Sequence, residues 1–279
     1  MTTTTLLTAT GRTDTPNRGR RRALWVACGA HALHDGLTDT LYLLLPILQT
    51  EFALTYAAIG VLRALYAGAM AGLQVPAAKL AQRIGGQSML AAGTAVAGAA
   101  YLVLGASSTL AILVVALILG GFGSSTQHPI ASSLVAAAYQ GPRSRGALGT
   151  YNFAGDLGKM ALPAITAALI AVMSWRLATG AVGIIALLGA GAILLAPWSA
   201  PAAGGKRTDA ASSKSETHEW SNPPRSGFAL LLAIGVIDSA TRMGFLTFLP
   251  LIGIGGHLAV PPLPHHRAYG SRTTAVRLG

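Results

Sequence analysis

Between His31 and Leu48 the sequence reads HALHDGLTDTLYLLLPIL, two imidazoles and two carboxylates at the head of an otherwise apolar stretch. On a helix, His31, His34 and Asp35 share a face, because residues three and four apart are neighbours. An acid in a low-dielectric site beside an imidazole that exchanges protons near neutral pH is suited to proton relay. The same three residues equally suit a polar face that lines water without any coupling role. Asp35 lies roughly 16 Å along the helix, near the midplane of a bilayer.

Further ionisable groups recur in apolar surroundings: Asp39, Arg63, Asp156, Lys159, Asp238 and Arg242. A charge at the bilayer centre costs about 2.5–3.5 kcal/mol on insertion scales, so such groups are paired or functional. Asp39 and Arg63 fall at matching depths of roughly 22 Å and 21 Å, which predicts a structural ion pair between them. Asp156 with Lys159 (three apart) and Asp238 with Arg242 (four apart) can each neutralise within one helix. Asp156 is also near mid-depth and can face a cavity shared with the first helix. Asn152, Gln127 and His128 would add hydrogen-bonding groups there.

The elements that must position these residues are membrane helices. Hydrophobic residues make up 52% of the 279 and charged residues 10%, with mean hydropathy +0.54. Soluble domains carry about 25% charged residues. Seven segments have the length and apolarity of spans, at 24–48, 57–78, 87–106, 110–137, 146–172, 177–197 and 227–252. Residues 1–22 read as a disordered basic arm, with a cleavable signal as the alternative. Residues 23–197 then form a six-helix bundle, 198–226 a Pro/Ser/Gly-rich cytoplasmic linker, 227–252 a seventh helix, and 253–279 an unstructured basic tail. The tail is either an exported segment or the product of a frameshift. With the amino terminus inside, thirteen Lys and Arg residues from Arg12 to Arg225 fall on the cytoplasmic side and only Arg176 outside, up to the seventh helix. The expected location is therefore the cytoplasmic (inner) membrane. The net charge of +11 sits in clusters between apolar runs, a pattern of membrane loops rather than of a nucleic-acid surface. No nucleotide loop, Gly-x-Ser-x-Gly, HExxH or paired-cysteine motif is present, which argues against an enzyme and against a cofactor or metal motif.

Two stretches carry a family likeness. HALHDGLTDTLYLLLPILQTEFALTYAAIG, from His31 to Gly60, resembles the first helix and loop of major facilitator superfamily (MFS) transporters of the fosmidomycin-resistance type. GFGSSTQHPIASSLVA, from Gly121 to Ala136, is similar to that group's fourth-helix motif through Gly123, Ser124, Ser125, His128, Pro129, Ser132 and Ser133. The resemblance implies an all-α polytopic membrane protein, with two six-helix bundles, a central cavity and alternating access. It also implies secondary active transport, usually efflux of a small molecule or drug driven by proton entry. The family's gating loop after the second helix appears as AKLAQRIG, where Leu80, Ala81, Arg83 and Gly85 match. Ala78 and Gln82 replace its glycine and aspartate, which weakens the expected inner-gate latch. The chain would supply the first bundle and one helix of the second, as a form truncated after that helix. Expected partners are the bilayer, protons, a small-molecule substrate, and a second copy or C-terminal half to wall the cavity. The alternatives are a non-transporting half-transporter fragment and a proton-coupled small-anion importer.

Overall fold

The computed structural model describes residues 15–139, 141–196 and 225–255, and among these every regular element is a helix. They are α1 (Thr15–Glu51), α2 (Tyr56–Ile84), α3 (Gly86–Gly105), α4 (Leu110–Ser124), α5 (Gln127–Ala138), α6 (Pro142–Val172), α7 (Trp175–Leu195) and α8 (Arg225–Gly255). Six spans among the described residues are long and apolar enough to cross a membrane: Tyr56–Ile84, Gly86–Gly105, Leu110–Ala138, Arg143–Val172, Trp175–Leu195 and Ala229–Ile252. α1 is less apolar because His31, His34, Asp35 and Asp39 interrupt it.

Several boundaries differ from the sequence reading. α1 begins at Thr15, so residues 15–22 are helical rather than a disordered arm. α2 continues to Ile84, so Leu80 and Arg83 of the expected gating loop stand on its last turns. Only Gly85 breaks the chain, at φ +90°, where a side chain would be strained, and α3 starts at the next residue. The expected fourth span is two helices. Pro129 has no N–H to bond the Ser125 carbonyl, and the hydroxyls of Ser125 and Thr126 turn back onto the carbonyls of Phe122 (2.6 Å) and Gly123 (3.1 Å). The linker up to residue 224 and the tail from residue 256 lie outside the described residues.

The core is apolar, with Leu37, Leu44, Leu45 and Leu48 buried, yet charged and polar side chains are buried with it and many apolar ones are exposed. His31, His34, Asp35, Arg63 and Gln127 are buried, whereas Leu188, Leu195 and Leu231 are among the most exposed side chains. Apolar exposure on this scale is stable only against lipid or a partner. Helices cannot associate by the hydrophobic effect in lipid, so close approach through small residues replaces it. α1 packs on α6 where Gly158 meets the Ala32 backbone, and α3 packs on α7 where Gly98 faces Gly183. A Cβ added at Gly98 would stand 2.9 Å from the Gly183 carbonyl oxygen. The first of these seams fixes the rotation of α1 against α6, and with it the direction their polar residues face.

Candidate functional site

Asp35 is the centre of the site. Its Oδ2 stands 3.2 Å from His31 Nε2 on the preceding turn of α1 and 3.2 Å from Lys159 Nζ on α6. Its Oδ1 lies 3.8 Å from His128 Nε2 at the start of α5. Lys159 also reaches Asp156 Oδ1 at 2.9 Å, so one ammonium bridges an acid of its own helix and an acid of α1. The sequence predicted the local Asp156–Lys159 pair; the cross-helix bond follows from the α1/α6 seam.

His31 is fixed from both sides. Its Nδ1–H donates to the Tyr151 carbonyl at 2.9 Å, and its ring stacks 4.0 Å from the Tyr151 ring. Tyr151 was not legible as a site residue. Its signal is the spacing Tyr151–Gly155–Gly158 on α6, an aromatic ring followed by two positions that admit α1 closely.

A cavity of about 330 Å³ opens beside these groups and is lined by Asp35, Asp39, His128, Asp156, Lys159 and Arg242, among others. Three carboxylates against one Lys and one Arg leave one net negative charge when His128 is neutral. Five side chains from the sequence reading stand elsewhere. His34 adjoins Asp35 in sequence and is therefore about 100° around the helix from it. It faces α3, and its Nε2–H donates to Thr94 Oγ1 at 2.8 Å. Gln127 is buried and donates to the Tyr151 hydroxyl at 2.7 Å. Asn152 is exposed on α6 and does not line the cavity. Leu80 and Arg83 stand exposed at the far end of α2.

Neither of the other expected ion pairs forms. Depth matched Asp39 to Arg63, but rotation about the helix axes separates them. Arg63 Nη2 donates to the Tyr42 hydroxyl at 2.6 Å, and the guanidinium lies 4.5 Å and 5.0 Å from the Tyr42 and Tyr66 ring centres. Aromatic faces hold the cation in place of a carboxylate. Asp39 turns to the cavity instead. Asp238 and Arg242 are both exposed near the middle of α8 and do not pair with each other; Arg242 lines the cavity instead.

The sequence of residues 27–264 matches the family described as Major Facilitator Superfamily. The chain belongs to the major facilitator superfamily. Members are transporters rather than enzymes, and this MFS chain is a multi-pass membrane protein. No curated protein matches it. Among solved structures it is similar to a bacterial homolog to the human lysosomal transporter Spinster, in an inward-facing and unoccupied conformation. The TM-score is 0.56 at 16% identity, over 68% of this chain and 44% of that one. That likeness is one of fold, and the chain spans less than half the length of the protein it resembles.

Proposed function

We propose that this MFS chain takes part in proton-coupled secondary transport of a small molecule, with Asp35 as the proton-carrying group and export as the direction. The observation that supports it is the convergence of His31, His128 and Lys159 on one buried carboxylate at the edge of a cavity. An acid with exchangeable partners on three helices couples its charge to their packing, which alternating access requires. Membership of a transporter family supports the class of activity, and the resemblance of the fourth-helix motif to the fosmidomycin-resistance group supports efflux of a drug-like substrate. The distribution of Lys and Arg supports a cytoplasmic amino terminus in an inner membrane. Further helices, from a second copy or a C-terminal half, would complete the wall of the passage.

Import of a small anion is the second reading, favoured by Lys159 and Arg242 at the cavity. The acids there outnumber these two cations, which favours a proton or a cation. Cells expressing the chain should tolerate fosmidomycin better than cells without it, and Asp35→Asn should abolish the difference. Full resistance in Asp35→Asn removes Asp35 from the proton path. Vesicles with an imposed pH gradient separate antiport from symport.

A further inference from the structure

We propose that His31, Asp35 and His128 form a binding site for a divalent transition-metal ion of the zinc class, opening onto the cavity. The proposal goes beyond the transport reading and does not rest on it, because binding to the purified chain is measured without any transport.

The ligand atoms of these three residues all lie within 4.8 Å of one another. The separations to Asp35 are 3.2 Å from His31 and 3.8 Å from His128. A tetrahedral ion with bonds of about 2.0–2.1 Å spaces its ligands about 3.4 Å apart. The two distances run to different carboxylate oxygens and the third side is up to 4.8 Å, so closing the triangle on one ion takes side-chain shifts of up to about 1.4 Å. The His128 side chain is 49% exposed and free to make them. Two imidazoles and a carboxylate suit zinc-class ions, and they offer too few oxygens for calcium or magnesium.

A second observation points to a positive ligand. The Tyr151 carbonyl can only accept, so His31 Nδ1 carries the hydrogen. Nε2 then faces Asp35 Oδ2 at 3.2 Å, a contact that needs a proton or a metal ion between its two lone pairs. A positive species between them relieves that contact, and a metal ion at this point also collects His128. A carbonyl on the far nitrogen is the arrangement that orients metal-ligating histidines. Lys159 competes, since its ammonium already occupies Asp35 Oδ2.

The test uses the purified full chain in detergent, without a histidine tag, titrated with Co²⁺ and read by visible d–d absorption. His218, His257, His265 and His266 lie outside the described residues, so all four are replaced by Gln in the background protein. The expected result is saturable binding of one Co²⁺ per chain, displaced by Zn²⁺. His128→Asn, at a half-exposed position that should fold, is expected to weaken binding at least about tenfold. Lys159→Met is expected to strengthen it. Absence of saturable one-to-one binding, or equal affinity in His128→Asn, overturns the proposal.

Discussion

Gly155→Ala should damage the site through packing alone. A Cβ at this position of α6 would stand 2.7 Å from both Cε1 and Nε2 of the His31 ring. Ordinary contact begins at 3.4 Å, so the ring must retreat by about 0.7 Å. It is held at 2.9 Å to the Tyr151 carbonyl and stacked 4.0 Å from that residue's ring, which leaves little room to yield. Overfilling a packed interior costs about 1–3 kcal/mol. Leaving a buried hydrogen-bonding group unpaired costs about 1–3 kcal/mol. The two overlap, and the expected loss is about 2–4 kcal/mol. Gly149→Ala is the control on the same helix, because nothing lies within 4 Å of its added Cβ. There the better helix propensity of alanine should add about 0.5–1 kcal/mol. Reversible unfolding in mixed detergent micelles measures both. If Gly155→Ala proves as stable as Gly149→Ala, His31 is not clamped between α1 and α6 and the site geometry is wrong.

Arg63→Met should leave stability unchanged or raise it in the same assay, since Nε and Nη1 of this buried guanidinium have no hydrogen-bond partner. A loss beyond about 2 kcal/mol would show that the Tyr42 and Tyr66 rings hold the cation strongly. Glu51→Gln should cost less than about 1 kcal/mol, because its 2.7 Å pair with Arg176 is solvent-exposed. Arg176→Ala should cost more, about 1–3 kcal/mol, since Arg176 also donates to the Ser107 carbonyl past the end of α3 and stacks 4.5 Å from the Trp175 ring. Equal losses in the two variants would contradict that ranking.

Sequence periodicity and apolar length reveal where helices lie and which residues are too polar for lipid, and both hold here. Asp35, His31 and His128 meet as their types promised, although α1 and α5 are far apart in the chain. Azimuth was the hidden variable. Depth along a helix is a count of residues, whereas facing depends on how two helices are rotated against each other. That rotation is set by contacts between helices, such as Gly158 against Ala32 for α6 and α1, which no spacing within one helix discloses. For this reason Arg63 was matched to Asp39 by depth and found beside Tyr42 and Tyr66. His34 was placed with Asp35 by proximity and found against Thr94. The broken fourth span was nearer to legible, since Pro129 marked the position where a backbone bond had to be lost.

The account depends on the polar face of α1 and α6 looking into water while apolar residues of α7 meet lipid. The direct measurement is thiol accessibility in the membrane-embedded chain, with the sole cysteine Cys28 replaced by Ser and single cysteines placed at Asp39, Asp156 and Leu188. A charged, water-soluble maleimide should label positions 39 and 156 rapidly and leave position 188 unmodified. Labelling at 188 with protection at 39 and 156 would contradict the account.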